Sequence, residues 1–383
     1  MSKDQEWHLQ TSLPVSFYIK NSTNIFNIDN GDILKDGTQG PGSRRIVVID
    51  QKVRDLYINN IVQYLEHYEI DYHIITMDAT ESNKNIDSLM YLLEEIESFG
   101  LTRKSEPIIA VGGGVLLDIV GLAASLYRRG VPYIKVPTTL LGVVDVGVGV
   151  KTSINFLDRR NRLGTYYPPI AAFIDISFFS TLETVEISSG LGEILKMAVV
   201  KDKRLFTILK KHGEELYVSK FLESNYAEEV INRAVKGMKN ELEDNLWEKN
   251  LQRYVDFGHS FSPIPEMRSL IDDNVKTLTH GEAVTLDVIL SSVISHLRGM
   301  LSKEDVIDIY TTTRSLGLPT YHPYFEKPDI LLEALNDTVK HRNGDQNLPI
   351  PKNIGDSVFI NDLSYDEIKK SSQLMVQFHN NLG

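Results

Sequence analysis

The stretch PIIAVGGGVLLDIVGLAA, residues 107–124, indicates the fold class, because an apolar run passes through three glycines into an apolar segment with helical spacing. A strand that turns into a helix through glycines is typical of nucleotide-binding α/β proteins. Backbone N–H groups at such a turn can approach a pyrophosphate, and the helix N-terminus adds a partial positive charge. The spacing GGGxxxD differs from the dinucleotide fingerprint GxGxxG, so the motif alone leaves a plain strand-to-helix turn equally open.

The alternation of strand and helix extends on the N-terminal side of this stretch. Two further apolar strands, RIVVID (45–50) and YHIITM (72–77), precede it, and segments with helical spacing separate the three strands. This order predicts a parallel, doubly wound sheet. Beyond about residue 188 the sequence changes to long amphipathic segments. We therefore predict an α/β Rossmann-like domain over residues 1–185 and a mainly α-helical domain over residues 186–383, with the active site in the cleft between them.

The composition is that of a globular protein with a sizeable core, since 42% of the 383 residues are hydrophobic and 24% are charged. The polar N-terminal segment does not resemble a signal peptide, and the apolar runs are too short to span a bilayer. A net charge of −12 argues against nucleic acid as a partner. The lack of cysteine excludes disulfides and thiolate metal ligands. We expect a cytoplasmic protein that contacts no membrane.

Basic and polar side chains occur around a Pro-Thr-Thr turn at residues 137–139. Arg129 precedes this turn, Asp145 and Lys151 follow it, and Asn161 lies in the segment NRLG. Side chains of this kind, if they converge on one loop system, suit a phosphate ester. For each arginine taken alone, a solvated surface is the better explanation.

Three side chains that can bind a metal lie beside glycines in the second half. Glu193 occurs in SGLGEILK, His259 in DFGHSFSP and His280 in THGEAV. Two histidines and one carboxylate leave a fourth position open, as a catalytic zinc requires. Glu193 and Lys196 are three residues apart among apolar neighbours, which favours a buried functional pair on one helix face. The spacings HExxH and CxxC are missing, so purely structural histidines remain the alternative.

Taken in order from about residue 45 to 360, these motifs resemble the sugar phosphate cyclase superfamily, to which the 3-dehydroquinate synthases belong. The resemblance rests on GGGxxxD, RGxxxxxxPTTLL, GLGEILK, FGHSFSP and THGEAV. Within the superfamily, DFGHSFSPIPEM and HRNGDQNLPIP are most similar to the 2-epi-5-epi-valiolone synthase branch. The resemblance implies bound NAD, one divalent metal ion (zinc or cobalt), a sugar phosphate substrate and a homodimer.

The resemblance also implies a role for individual residues. The implied metal ligands are Glu193, His259 and His280. The residues implied to bind NAD surround the glycine turn and neighbouring strand ends: Asp50, Glu81, Lys84, Gly112, Gly113, Gly114, Asp118, Thr138 and Thr139. For two of them, Glu81 and Lys84, a solvated helix start is an equally good explanation. The implied catalytic residues are polar or charged groups of both halves: Arg129, Asp145, Lys151, Asn161, Lys196 and Asp256.

The implied reaction is the cyclisation of sedoheptulose 7-phosphate to 2-epi-5-epi-valiolone with release of phosphate. It proceeds through transient oxidation by NAD, elimination of phosphate, reduction, ring opening and an intramolecular aldol step. A metal-bound hydroxyl has a lowered pKa and loses its proton more easily as the neighbouring hydride leaves. NAD therefore cycles without net consumption.

The departures from 3-dehydroquinate synthase indicate the substrate. In that enzyme a lysine and an arginine hold a substrate carboxylate, and an ungapped comparison places Met238 and Gln252 at those positions. Pro263 replaces a second histidine, and Asp256 replaces an asparagine. Neither Met238 nor Gln252 can form a charge-assisted pair, and an unpaired, desolvated carboxylate is costly. A substrate with a neutral end is therefore expected.

Two alternative functions remain open from the sequence. One is another sedoheptulose 7-phosphate cyclase, which would form 2-epi-valiolone or desmethyl-4-deoxygadusol. The segment HRNGDQNLP at 341–349 favours the 2-epi-5-epi-valiolone product over the latter. The other is a metal-dependent polyol dehydrogenase of the same two-domain plan, which would reduce NAD in net terms.

Overall fold

The computed structural model describes residues 6–157 and 159–382. Its strands are β1 (Tyr18–Asn21), β2 (Arg44–Asp50), β3 (Asp71–Met77), β4 (Ile108–Gly112), β5 (Tyr133–Pro137), β6 (Lys151–Phe156), β7 (Arg159–Tyr166), β8 (Ala171–Ile174), β9 (Leu348–Asn353) and β10 (Asp356–Ile360). Its helices are α1 (Gln51–His67), α2 (Ile86–Phe99), α3 (Gly114–Leu126), α4 (Thr184–Lys201), α5 (Lys203–Val218), α6 (Ala227–Glu243), α7 (Pro263–Ser269), α8 (His280–Leu297), α9 (Lys303–Ser315), α10 (Pro328–His341) and α11 (Tyr365–Leu382).

Six strands form a parallel sheet in the order β1-β8-β5-β4-β2-β3. Helices cover both faces, because alternate side chains of the central strands point to opposite sides. In β2, Val47 and Ile49 pack with side chains of α1, whereas Ile46 and Val48 pack with those of α2 and α3. The predicted doubly wound α/β architecture is confirmed.

The glycine turn lies where the strand order reverses. The chain passes from β2 outward to β3 and then returns to β4 on the other side of β2. Ile49 pairs with Val111, so the carboxyl ends of β2 and β4 are neighbours. A Cβ on Gly112 would lie 3.3 Å from Asp50 Cβ. Ligands of open α/β sheets bind in the crevice at such a reversal point.

The second half of the chain packs around two buried helices. Residues 187–200 of α4 and 281–295 of α8 are buried throughout. A helix buried on every side belongs to the centre of a core, and α5, α6, α9, α10 and α11 surround this pair. The antiparallel hairpin of β9 and β10 also packs there, an element that the sequence reading did not place. The expected domain boundary at residue 185 falls in the first turn of α4 and stays a prediction.

Helices α4 and α8 touch through their backbones. A Cβ on Gly281 would lie 1.9 Å from Ser189 O, and a Cβ on Gly192 would lie 2.5 Å from Gly281 O. Any side chain at either position would force the helices apart. Glu193 follows one of these glycines and His280 precedes the other, so the contact brings the two functional side chains together.

The described part of the chain contains no helix that is long and apolar enough to cross a membrane.

Gly281→Ala is expected to lower the free energy of unfolding by about 3 kcal/mol, because its Cβ overlaps the backbone of α4. Thermal unfolding followed by circular dichroism measures the effect as a lower midpoint. Gly237→Ala in α6 is the matched control, since its Cβ would first meet Met197 Cε at 3.6 Å, an ordinary contact. Alanine is the better helix former by roughly 1 kcal/mol, so that midpoint should hold or rise. Equal midpoints for the two variants would contradict the backbone contact.

Candidate active site

Glu193, His259 and His280 form a candidate metal centre. Their ligand atoms lie within 4.8 Å of one another. Nε2 of His280 and Nε2 of His259 lie 3.4 Å and 3.7 Å from Glu193 Oε1. That carboxylate oxygen is buried and has no hydrogen-bond partner within residues 6–157 and 159–382. Because a buried, unpartnered oxygen is costly, the arrangement fits a divalent cation bound by three side chains with a further position open.

Neighbouring groups orient the three side chains. Nδ1 of His259 contacts Phe257 O at 3.2 Å, and Nδ1 of His280 contacts Glu266 Oε2 at 3.2 Å. Each imidazole thereby presents Nε2 to the centre, as metal-binding histidines usually do. The second oxygen of Glu193 forms an ion pair of 2.5 Å with Lys196 Nζ, which donates a hydrogen bond of 2.9 Å to Val255 O.

The charges of this cluster suit a cation. Burial opposes ionisation of Glu193, but the Lys196 ammonium and both imidazoles hold the pKa of Glu193 below its ordinary value. Burial, together with Lys196, lowers the pKa of His259 to about 3, which leaves a free lone pair near neutral pH. Burial disfavours protonated His280, yet the carboxylates of Glu266 and Glu193 raise its pKa to about 9. A metal ion therefore competes with a proton at His280.

Asp145 lies in a π-helical turn, Gly142–Val146, beside the metal centre. Burial and the nearby charge of Glu193 raise the pKa of Asp145. Lys135 of β5 holds this turn in place. Its Nζ donates hydrogen bonds to Val146 O (2.7 Å) and to the carbonyl oxygen of residue 149 (2.8 Å). Burial lowers the pKa of Lys135 to about 8. Sequence reasoning missed Lys135, although a lysine inside an apolar central strand signals a buried polar partner.

The glycine turn offers a binding site for an anion. Gly113 is the N-cap of α3 and has no side chain, so the first N–H groups of this 13-residue helix are not capped by it. A Cβ on Gly113 would lie 3.2 Å from Thr139 Cγ2, so the turn packs tightly against the Pro-Thr-Thr segment. Thr138 Oγ1 is buried and makes no hydrogen bond with the described residues. These features fit the pyrophosphate of a dinucleotide.

Asp50 ends β2 and caps α1. Its carboxylate accepts bonds from Lys52 N (2.9 Å), Val53 N (3.4 Å) and Ala79 N (3.3 Å). The side chain thus fixes the loop beside the glycine turn. The contact with a ribose that the resemblance implies stays a prediction.

Lys84, Asp118 and Asn161 form one polar cluster. Lys84 Nζ donates to Asp118 Oδ2 at 2.5 Å and to Asn161 Oδ1 at 2.6 Å, and Ser153 Oγ donates to the same Asn161 oxygen at 3.0 Å. Lys84 is 3% exposed, so a solvated helix start does not describe it. Lys84 and Asp118, which the resemblance implies bind NAD, therefore contact Asn161, for which it implies a catalytic role.

Arg160 connects the two halves of the chain, and sequence reasoning assigned it no role. Its guanidinium contacts Glu81 Oε2 at 3.2 Å in the first half. In the second half it donates to Glu266 and contacts His280 Nδ1 at 3.2 Å. Glu81, implied to bind the cofactor, is thereby linked through one side chain to the metal centre.

Asp256 and Lys151 belong to a second ionic cluster. Arg253 donates to both oxygens of Asp256, at 2.5 Å and 3.1 Å, and Arg342 Nη2 lies 3.6 Å from Asp256 Oδ2. Glu248 pairs with Arg253 and with Lys151. Burial alone would raise the pKa of Asp256, but Arg253 and Arg342 lower it. The cationic groups of this cluster therefore already have anionic partners.

The structure does not bring Arg129 to Asn161 within one chain. Arg129 is exposed beyond the C-terminal end of α3, next to Gly130, which packs against the Tyr167 hydroxyl after β7. Asn161 lies near the opposite end of β7, so roughly 15 Å of strand separates the two regions. Sequence proximity to the Pro-Thr-Thr turn is misleading here, because α3 carries the chain away from the glycine turn. A catalytic role of Arg129 stays a prediction.

Comparison with known proteins extends the resemblance over nearly the whole chain. Family models described as the N-terminal and C-terminal parts of 3-dehydroquinate synthase match residues 74–189 and 190–341. The 2-epi-5-epi-valiolone synthase of Streptomyces albus is 44% identical, over 97% of this chain and 90% of its own length. The demethyl-4-deoxygadusol synthase of Trichormus variabilis is 33% identical, over 96% and 89%. The structure of ValA, a 2-epi-5-epi-valiolone synthase from Streptomyces hygroscopicus subsp. jinggangensis 5008 with NAD+ and Zn2+ bound, has 42% identity and a TM-score of 0.91, covering 97% of this chain and 99% of ValA.

His280→Ala is expected to abolish both turnover and tight binding of a divalent ion, because it removes one of three ligand atoms while the protein stays soluble. Metal content is measured by atomic emission after loading with zinc and desalting. His296→Ala is the control on the same helix, since His296 contacts Leu301 O and lies outside the cluster. Zinc retained by His280→Ala at the wild-type ratio would contradict the ligand assignment.

Proposed function

Since the chain belongs to the 3-dehydroquinate synthase family, we propose that it cyclises sedoheptulose 7-phosphate to 2-epi-5-epi-valiolone and releases inorganic phosphate. The observation that carries this proposal is 42–44% identity to four 2-epi-5-epi-valiolone synthases over 95–97% of the chain. The demethyl-4-deoxygadusol synthase, at 33%, is a more distant relative. The 2-epi-5-epi product is therefore favoured over the other products of sedoheptulose 7-phosphate.

The ionic cluster around Asp256 supports a substrate with a neutral end. Asp256 and Glu248 provide two negative charges beside Arg253, Arg342 and Lys151. The two carboxylates are shared among the three cations, so a substrate carboxylate would compete with Asp256 and Glu248 for the same guanidinium and ammonium groups, whereas neutral hydroxyls would leave these pairs intact. Met238 is buried and Gln252 is exposed, and neither adds a positive charge.

NAD and zinc are the cofactors that the two sites suit. The glycine turn and the uncapped N-terminus of α3 would hold the pyrophosphate of NAD, and Glu193, His259 and His280 would hold the metal. When bound, NAD supplies the hydride acceptor and donor, and the metal polarises a substrate hydroxyl. Cobalt can occupy such a site as well.

The residues around these sites bind and orient the sugar phosphate. The Lys196 ammonium keeps Glu193 ionised and in place through its ion pair with Oε2. Asp145, with a raised pKa, is suited to exchange a proton with a substrate hydroxyl beside the metal. The Lys84 ammonium, which pairs with Asp118 at 2.5 Å, donates to Asn161 Oδ1 at 2.6 Å and so fixes the Asn161 side chain for contact with the substrate.

Two properties of the whole protein are part of the proposal. The family resemblance supports a cytoplasmic homodimer. Sedimentation equilibrium of the purified chain tests the dimer, and a monomer at micromolar concentration would contradict it.

Phosphate release by the purified protein with catalytic NAD and zinc is the direct test. Sedoheptulose 7-phosphate is compared with the carboxylated seven-carbon substrate of 3-dehydroquinate synthases, and the product is identified by NMR. We expect phosphate and a cyclic ketone from sedoheptulose 7-phosphate alone, with NAD unchanged. Release from the carboxylated sugar would contradict the proposal, and net accumulation of NADH would indicate a polyol dehydrogenase.

Asp256→Asn is expected to shift specificity toward the carboxylated sugar, because Arg253 and Arg342 lose an anionic partner. A hydrogen bond to a charged group is worth about 1.5–3 kcal/mol, so the ratio of kcat/KM values should rise about tenfold or more. Asp362→Asn, which removes a surface carboxylate beside Arg298, is the control and should leave the ratio unchanged. An unchanged ratio in both variants would show that Asp256 does not set the charge preference.

A further inference from the structure

Asp287 is a fully buried carboxylate on α8, seven residues after His280. Its Oδ2 accepts hydrogen bonds from two successive backbone groups, Phe261 N at 2.6 Å and Ser262 N at 3.0 Å. Its Oδ1 accepts a bond of 3.0 Å from Ser291 Oγ. The side chain thus reaches from α8 into the turn that precedes α7.

This placement is costly for a carboxylate. Burial raises the pKa of Asp287 to about 6, even though hydrogen bonds from the Ser291 hydroxyl and from the backbone of residues 260–262 favour its ionised form. A buried carboxylate weakens a fold unless its hydrogen bonds serve the arrangement around it. The two backbone bonds offset part of this cost and hold the turn at residues 261 and 262 against α8.

The two backbone donors belong to the turn that carries His259. The turn, residues 257–262, lies directly on α8, since a Cβ on Gly258 would be 2.8 Å from Val284 Cγ1. Ser262 Oγ closes the turn by donating to Gly258 O at 2.7 Å. Asp287 adds the bonds that fix this turn to α8 at the end next to α7.

The same bonds fix the position of the first turn of α7, and therefore the position of Glu266. The first residue of α7 is Pro263, and Pro265 follows, so neither can donate a backbone hydrogen bond. The backbone N–H groups of the two residues just before Pro263 donate instead to Asp287, which lies on another helix. Glu266 in turn contacts Nδ1 of His280 at 3.2 Å.

We infer that Asp287 is a positioning residue of the metal centre. It fastens the turn that carries His259, and the helix that carries Glu266, to the helix that carries His280. Both imidazoles are thereby held at their distances from Glu193 by one helix, α8. The inference rests on the metal site of the proposed function, and it adds a residue that touches neither the ion nor the substrate.

Cobalt binding to Asp287 variants tests the inference, with the d–d absorption spectrum of bound Co2+ and its dissociation constant as readouts. Asp287→Ala should raise that constant about 10–100-fold, as loss of outer-shell partners does, and should change the spectrum. Asp287→Asn keeps an oxygen for both backbone bonds, so it should retain the wild-type spectrum. Asp287→Glu should still fold but displace the turn, and should therefore change the spectrum too.

Asp175→Ala is the matched control. Asp175 is likewise buried, and it accepts bonds from Ile25 N at 2.8 Å and Ser177 N at 3.0 Å, away from the metal centre. Its loss should lower the thermal midpoint but leave cobalt affinity and spectrum unchanged.

The outcomes separate this inference from the proposed function. If Asp287→Ala or Asp287→Glu binds cobalt with wild-type affinity and spectrum, Asp287 does not position the site. If Asp175→Ala changes the spectrum as much as Asp287→Ala does, the effect reflects general destabilisation and the inference fails. If the wild-type protein binds no cobalt, the metal assignment itself is overturned, whatever the variants show.

Discussion

The backbone contact between α4 and α8 positions both the metal centre and the helical core of the second half. Gly192 and Gly281 let the two helices approach until main-chain atoms touch, and Gly281 N is also bonded to Ser189 Oγ at 3.2 Å. The adjacent positions in sequence are Glu193 and His280. The close contact at the glycines therefore places one metal-binding side chain from each helix at the same site. The surrounding helices and the β9–β10 hairpin pack on α4 and α8.

Compensation of buried charge explains how the polar groups around this contact are tolerated. Lys196 pairs with Glu193, and Lys84 pairs with Asp118, each at 2.5 Å and almost without exposure. Removing one partner of a buried pair leaves an uncompensated charge, so the pairs fix one another's geometry. The polar groups around the glycine turn and the metal centre thus form a preorganised environment. Preorganised dipoles and charges of this kind stabilise developing charge more effectively than mobile water.

The fold and the centre of the site could be predicted from the sequence because they depend on local patterns. The strand–glycine–helix stretch predicts the sheet and its crevice, and the motifs around Glu193, His259 and His280 identify the cluster through the family resemblance. Groups that act over long sequence separations could not be predicted. Arg160 contacts Glu266 across 106 residues, and a guanidinium in a charged loop carries no local sign of such a partner.

Residues that are close in sequence can also lie far apart in the structure, and the reverse. Arg129 is close in sequence to the Pro-Thr-Thr turn, but α3 carries it to the far end of the sheet layer. Met238 and Gln252 indicate a missing carboxylate partner, yet the sequence comparison did not reveal that Arg253 and Arg342 stand nearby. Because both arginines pair with Asp256, a substrate carboxylate would have to compete with that side chain, which again favours a neutral substrate.

X-ray diffraction from crystals of the zinc-loaded protein, recorded on both sides of the zinc absorption edge, locates the metal ion. We expect a single strong anomalous peak within about 2.0–2.2 Å of Glu193 Oε1 and of Nε2 of His259 and His280. A zinc peak elsewhere in the chain, with this cluster lacking one, would contradict it.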